Sequence, residues 1–365
     1  ICCFPAGTKI TMADETQKSP AELRAERFER LRSDWSHLAE SATLGDLYDR
    51  IETLRNSIDD LPDRIGTLRE RGYVYGNRWE TQAEALKEAW PSRARKARSH
   101  LRDQANRMEP LIEDIERFCD RTHLADGQLD RLEEKIERAE DWIGDADSQV
   151  RTIFTTLDED LASLNREFHH AEYMLDALDE VTFPLLPEED GVAACEAVWT
   201  DDKEEPKGVL FVTNHRLIFE RREKVAKKKV LFITTKSELV KEKLWETPIG
   251  GVISADTEDK GALMFSKELL HLNFAHDVRT IPEEITLRLK GRDNDDLCAW
   301  IELAKTGEIA AQRYDAGEEE TASPAAEALP DDVPTVCPAC GAQLPTVYQG
   351  MQELVCEYCG SKVRL

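Results

Sequence analysis

The sequence lacks any long apolar run, and this absence limits the class of protein. No stretch approaches the eighteen or so apolar residues that a membrane-spanning helix needs. No charged-then-apolar signal peptide opens the chain. Aromatic residues make up only 7% of the 365 residues, whereas charged residues make up 33%. We therefore expect a soluble, cytoplasmic protein, peripheral where it meets a membrane.

Positive charge is also scarce, since the formal net charge is −26. This balance excludes a protein whose whole surface binds nucleic acid or anionic lipid. Residues 315–336 hold seven acids and no base, and residues 337–365 hold two of each. Only residues 93–107 and 221–229 depart from this background, with a local net charge of +5 each.

No catalytic constellation stands out in the sequence. It shows no nucleophile–base pair, no phosphate-binding glycine loop, no paired carboxylates in a defined site and no open metal site. We therefore expect a binding protein and not an enzyme.

The nine cysteines are used unevenly. Five are scattered, which is typical of a reducing compartment. The other four form a C-x2-C-x15-C-x2-C pattern, whose two thiolate pairs have the spacing of a tetrahedral zinc site. Four sulfur ligands leave no coordination position for substrate, so the pattern predicts one structural Zn(II) in a zinc ribbon over residues 335–365. The predicted ligands are Cys337, Cys340, Cys356 and Cys359.

Residues 1–18 are expected to form a disordered leader, with Met12 as the translation start. Residues 3–14 resemble the opening of intein and Hedgehog-type autoprocessing domains, in which the first cysteine performs an acyl shift. The resemblance ends at Glu15, where that family has glycine. We therefore assign no catalytic role to Cys3.

Residues 19–182 predict a helical coiled-coil arm. Ser19, Pro20 and Glu22 have the pattern of a capping box with proline at the first helical position. Pro62 predicts a kink near Leu61. Such helices must pair with each other or with a second copy of the chain, which predicts an oligomerisation or spacer element. The first apolar seam, in which apolar residues recur at steps of four and three, comprises Leu47, Ile51, Leu54, Ile58, Leu61, Ile65 and Leu68.

Residues 188–310 change from helical periodicity to short alternating segments. Eight candidate strands are followed by one helix with Asp293 as its N-cap, which predicts a small β-barrel closed by that helix. The candidate strands are Ala193–Trp199, Gly208–Thr213, Arg216–Glu220, Val230–Thr235, Leu239–Glu246, Val252–Asp256, Glu268–Phe274 and Glu284–Lys290.

The segment Lys207–Phe219 resembles the G-x-L-x-x-T-x-x-R-L-x-F signature of GRAM domains, which belong to the PH superfamily. The matching residues are Gly208, Leu210, Thr213, Arg216, Leu217 and Phe219. The resemblance covers Glu188 to Gly307. It implies a docking module without catalytic machinery, whose partners in eukaryotic relatives are phosphoinositides or peptides.

The second basic segment lies in what the pattern predicts to be a hairpin loop of this domain. Basic loops attract anionic lipid headgroups, although lysine is also common at solvated strand edges. The candidate lipid- or partner-binding residues are Arg221, Arg222, Lys224, Lys227, Lys228 and Lys229.

Residues 311–334 form an acidic linker, too poor in large apolar residues to fold alone. The fold class predicted for the whole chain is multidomain α+β: coiled coil, GRAM/PH-like barrel and zinc ribbon. We expect an adaptor or scaffold that contacts protein partners and an anionic membrane surface. The alternative is a nucleic-acid-associated factor that uses the zinc ribbon and the basic patch from Arg93 to Arg107.

Overall fold

The computed structural model describes residues 18–230, 233–260, 267–276, 281–291, 293–315, 336–339, 344, 353–356 and 361–364. The N-terminal half is helical, as predicted. Among the described residues, no helix combines the length and the apolar content that crossing a membrane requires. The helices are α1 (Pro20–Ala42), α2 (Gly45–Asp59), α3 (Leu61–Glu70), α4 (Trp79–Cys119) and α5 (Asp126–Leu178).

Local sequence signals determine where these helices begin. The Ser19 hydroxyl accepts a hydrogen bond from the Glu22 N–H at 3.2 Å, and the Glu22 carboxylate accepts one from the Ser19 N–H at 2.7 Å. The predicted capping box is therefore confirmed. Pro62 lies in the first turn of α3. The helical run is interrupted at Asp60, between the end of α2 at Asp59 and the start of α3 at Leu61, where the kink was predicted.

The predicted apolar seam is buried within a single chain. Ile51 and Leu61 are fully buried, and the other five seam residues are at most 9% exposed. Burial of this kind stabilises a helix far more than its intrinsic propensity does. Since the helices of one chain cover the seam, no second copy is needed to bury it.

The chain divides into two compact units. Unit 1 comprises residues 1–59 and 86–160, and unit 2 comprises residues 60–85 and 161–365. In unit 1, Trp90 stacks on Phe154 with ring centroids 5.5 Å apart, and Arg50 donates to Asp158 at 2.7 Å. The arm predicted to end at residue 182 is thus shared between the units, and its last part belongs with the β-domain.

Unit 2 contains a seven-stranded antiparallel sheet with the strand order β4-β3-β2-β1-β7-β6-β5. Its ends, β4 and β5, are not hydrogen-bonded to each other among the described residues. One helix, α6 (Asn294–Thr306), follows the last strand, and Asp293 caps it as predicted. The strands are β1 (Gly191–Trp199), β2 (Lys207–Thr213), β3 (Arg216–Val230), β4 (Ile233–Pro248), β5 (Val252–Lys260), β6 (Lys267–Phe274) and β7 (Glu284–Lys290).

The prediction of eight strands was wrong in the middle of the domain. The segment Arg221–Lys229, predicted to be a loop, continues β3. Val230–Thr235 and Leu239–Glu246, predicted as separate strands, correspond to the end of β3 and a single β4. Lysine has a low strand propensity, but here cross-strand pairing with β4 determines the conformation.

Residues of the helical arm that belong to unit 2, in the turn after α3 and in α5, pack directly on this sheet. The Tyr73 hydroxyl donates to the Val192 carbonyl at 3.2 Å. The Met174 methyl group lies 2.0 Å from where a Cβ on Gly191 would be, so a larger residue at this position would have to displace the Met174 side chain. The structure therefore joins the end of the helical arm to the β-domain.

The turn between α3 and α4 is organised by Arg69. Its guanidinium donates to the carbonyls of Tyr73, at 3.0 Å, and Gly76, at 2.8 Å. It also lies over the rings of Trp79 and Tyr314, 4.9 and 4.3 Å from their centroids. Tyr314 follows the last helical turn of the β-domain. Arg69 therefore holds the end of the β-domain against the turn between α3 and α4.

Candidate functional site

The β3 and β4 strands extend far beyond the rest of the sheet. Strand β2 pairs with β3 only from Leu217 to Arg221, whereas β3 and β4 pair with each other as far as Val230 and Ile233. Beyond Arg221 the sheet is therefore a two-stranded ribbon, which we call the β3–β4 ribbon (residues 222–241). Nine residues of β3 span about 30 Å at 3.3 Å per residue.

The base of the β3–β4 ribbon is attached to the end of α5. Arg222 donates to the Ala177 carbonyl at 2.7 Å, and Lys241 donates to the Glu180 carbonyl at 3.3 Å and its carboxylate at 2.7 Å. These carbonyls belong to the last turn of α5 and the residues just after it, where cations interact favourably with the helix dipole. The attachment holds the ribbon at its base.

Arg221 and Arg222, predicted to contact a ligand, are engaged within the domain. Arg221 forms ion pairs with Glu204 and Glu223. Arg222 donates to the fully buried Glu220 carboxylate at 2.6 Å and lies over the Phe211 ring at 5.3 Å. Their contacts stabilise the sheet, which is a role that the charge pattern alone did not indicate.

The remaining predicted contact residues lie further along the β3–β4 ribbon. Lys224 is exposed. The side chains of Lys227, Lys228 and Lys229 lie outside the described part of the structure, so their role stays a prediction. Their backbone belongs to β3, so the basic segment is a strand and not a loop.

A buried ionic network lies beside the start of β3. Arg216 Nε and Nη2 each donate to the Glu189 carboxylate at 2.8 Å, and Arg216 also pairs with Glu246. Thr213 Oγ1 donates to Glu189 at 2.7 Å and accepts the Arg216 N–H at 2.8 Å. The network explains why threonine and arginine occur together in the motif: both position the β2–β3 turn.

The protonation of Glu189 depends on this network. Burial by itself raises the pKa of Glu189, but hydrogen bonds from Arg216, from the Leu186 N–H and from Thr213 outweigh burial. The pKa of Glu189 is therefore below its usual value, and the carboxylate is ionised at neutral pH. An ionised and fully paired group of this kind is structural and has no open position for substrate.

The C-terminal tail supplies part of the predicted zinc site. It contains β8 (Glu353–Val355) and β9 (Lys362–Arg364), which pair antiparallel. Cys337 and Cys356 are each 1% exposed and share a small core with three apolar residues. The Cys356 N–H donates to the Ser361 carbonyl at 2.9 Å.

This arrangement fits the predicted metal as far as it is described. Cys340 and Cys359 lie outside the described residues. Within the described ranges, no group of three or more His, Cys, Asp and Glu residues that could hold a metal is found. Two buried cysteines in one small core are compatible with a thiolate zinc site, so the zinc ligand set stays a prediction.

A cavity in unit 2 has a volume of about 1060 Å³. Trp79 and Glu167 lie on its helical side, and Asp293 and Trp300 lie on the side of α6. The Trp79 Nε1 donates to the Glu167 carboxylate at 2.7 Å, and Asp293 accepts the N–H groups of α6. These groups have structural partners, and the cavity contains no predicted site residue.

No family model and no curated protein matches the sequence. Among solved structures, the chain is similar to the Vps36 N-terminal PH domain, at 15% identity over 36% of this chain and 92% of that one, with a TM-score of 0.24. It is also similar to the hSac2 domain of human phosphoinositide phosphatase Sac2, at 11% identity over 42% and 93%, with a TM-score of 0.23. A third similar structure is that of the N-terminally truncated linker-DH/PH domains of p115-RhoGEF. The identity is 12% over 78% of this chain and 97% of that one, with a TM-score of 0.22. Similarities this low add nothing to the topology described above.

Proposed function

We propose that this protein is a non-enzymatic adaptor that docks to an anionic membrane surface through the β3–β4 ribbon. In this proposal the zinc ribbon contacts a protein partner and the helical arm provides reach. The observation that carries the proposal is the two-stranded extension of the sheet, because its sequence is unlike the rest of this acidic chain. Residues 224–236 contain five lysines and no acid.

The distribution of these lysines suits a lipid surface. Each basic residue near an anionic membrane contributes about 1 kcal/mol. A long ribbon whose described attachments lie at its base would place such residues away from the acidic remainder of the chain, whose effect is screened beyond roughly 10 Å at 0.1 M salt. Docking would therefore depend on the ribbon and not on the net charge.

An apolar segment interrupts the lysines and favours lipid over an acidic protein. Val230, Leu231, Phe232 and Ile233 are consecutive in the sequence, and Val230 pairs with Ile233. Leu231 and Phe232 themselves lie outside the described residues. Short hairpin connections in water usually contain Asn, Asp or Gly. A membrane interface accommodates apolar and basic side chains together, so an apolar segment flanked by lysines matches it.

The test is co-sedimentation of the full chain with phosphatidylcholine vesicles that contain or lack phosphatidylserine. The variant Lys227→Gln/Lys228→Gln/Lys229→Gln should bind the anionic vesicles on the order of a hundredfold more weakly, at about 1 kcal/mol per lysine. The matched control changes three exposed lysines of the same domain, Lys203, Lys207 and Lys290, to Gln and should bind like the wild type. Equal losses in both variants, or no binding of the wild type, would refute ribbon-mediated docking.

A further inference from the structure

We propose that the exposed face of helix α4 between Arg95 and Arg107 binds the phosphate backbone of a nucleic-acid duplex. This surface belongs to unit 1, does not involve the β3–β4 ribbon and goes beyond the proposed docking function. It is the larger part of the basic patch that the sequence placed on an acidic arm.

The structure separates the six basic residues of this patch into two groups. Arg93 donates to the Ile153 carbonyl at 2.7 Å, and Arg98 pairs with Glu52, so these two act within the helical bundle. Arg95, Lys96, Arg102 and Arg107 are exposed, and none of them has an ion pair with another described residue. These four residues, which we call the α4 basic face, are available to a partner.

The buried side of α4 determines how this face is oriented. Ala94, Ala97, Leu101 and Met108 are all at most 3% exposed, so the opposite side of the helix points to solvent. On that side Arg95, Ser99, Arg102 and Asn106 follow one another at steps of four, three and four residues, and all four are exposed. This spacing places them on one face, about 16 Å long at 1.5 Å per residue.

The chemistry of this face favours phosphate over other anions. Arginine contacts phosphate through two parallel hydrogen bonds, and serine and asparagine side chains also donate to phosphate oxygens in protein–DNA complexes. Each strand of a duplex carries one phosphate per roughly 3.4 Å, so about 16 Å of helix runs past about five phosphates of one strand. Every one of those phosphates is charged, whereas an extended peptide of that length, about five residues, would have to be acidic at every position to match it.

The same face disfavours a membrane and a single strand. Membrane-surface helices insert large apolar side chains, but Leu101, the large apolar residue of this stretch, is buried. Single-stranded nucleic acid is held largely by stacking on aromatic side chains, and residues 95–107 contain no Phe, Tyr or Trp. The one acid on this stretch is the exposed Asp103, which lies between Lys96 and Arg107.

Charge variants of the full chain test this proposal, with a labelled DNA duplex of mixed sequence as the probe and fluorescence anisotropy as the readout. Four phosphate contacts predict that binding falls roughly a hundredfold between about 50 and 200 mM salt. Arg95→Gln/Arg102→Gln should bind more weakly and reduce the salt slope by about 2, since each contact contributes about 0.9. Asp103→Asn should bind more tightly.

A second pair of arginines in unit 1 provides a matched control. Arg131 and Arg138 on α5 are exposed and also seven residues apart, but Glu134 and Glu137 lie between them on the exposed surface. Arg131→Gln/Arg138→Gln should leave duplex binding unchanged. Equal losses in the two double variants, or no wild-type binding at low salt, would overturn the proposal. So would a loss of vesicle binding, with duplex binding retained, in Arg95→Gln/Arg102→Gln.

Discussion

At the scale of single residues, the sequence identified one half of the ionic network in the β-domain. Thr213 and Arg216 belong to the motif and are buried, as a role in the fold requires. Glu189, which completes the network, lies 27 residues before Arg216 in a segment that has the composition of a solvated turn. No local pattern connects the two positions, because the contact depends on how β1, β2 and β3 pair.

We expect Glu189→Gln to lower the free energy of unfolding at neutral pH by about 1–3 kcal/mol, because it removes the buried charged partner of Arg216 and leaves the partly exposed Glu246 as its remaining described ion-pair partner. Urea denaturation followed by tryptophan fluorescence measures this change. Glu242→Gln, which removes an exposed carboxylate of the same domain, should change the stability little.

The low pKa of Glu189 determines how this difference varies with pH. Its contribution to stability is present above the pKa of an unfolded glutamate, about 4.3. It is lost as the pH falls through the lower folded pKa. The gap between the wild type and Glu189→Gln should therefore shrink as the pH falls below about 4.3, and an unchanged gap in acid would contradict the assigned ion pair.

At the scale of elements, helices were more predictable from the sequence than strands. The capping box at Ser19 and the break at Pro62 are local signals, and the structure shows both. The β3–β4 ribbon was missed because its central residues are lysines, which usually indicate a loop. Its strand conformation depends on pairing with β4, which begins three residues after β3 ends.

The β3–β4 ribbon should be the least protected part of the sheet in the free protein. Amides of residues 223–230 should exchange faster than those of residues 217–221, because a two-stranded ribbon is marginally stable in water. Hydrogen exchange measured by mass spectrometry checks this order.

Anionic vesicles should slow exchange in the ribbon of the wild type. They should have no such effect in the variant Lys227→Gln/Lys228→Gln/Lys229→Gln. Strong protection of residues 223–230 without lipid would mean that the ribbon has a support other than its base.

At the scale of the whole molecule, the sequence predicted the order of parts better than their boundaries. The last helix of the arm ends at Leu178 and the first strand begins at Gly191, but the compact units divide the chain after residues 59, 85 and 160. Composition could not show this, since α4 and α5 each continue without interruption past one of these divisions. The contact that attaches the turn between α3 and α4 to the sheet, Tyr73 with Val192, joins residues more than a hundred positions apart in sequence.

The zinc ribbon should behave as a separate folding element. Among the described residues, the core formed by Cys337, Leu344, Leu354, Cys356 and Val363 contains none from outside the tail. Five such residues bury too little apolar surface to hold a fold without a metal or a cross-link. Binding of zinc to four thiolates would supply that missing free energy.

We therefore expect one zinc per chain by elemental analysis, and no bound zinc in Cys356→Ser. Removal of zinc by a strong chelator should expose the tail to limited proteolysis, because the metal contributes the folding free energy there. The far-ultraviolet circular dichroism should hardly change, since β8 and β9 together contain only six residues. Loss of the helical signal on chelation would show that the metal supports the helical arm or the β-domain, and a full chain without zinc would refute the predicted ligand set.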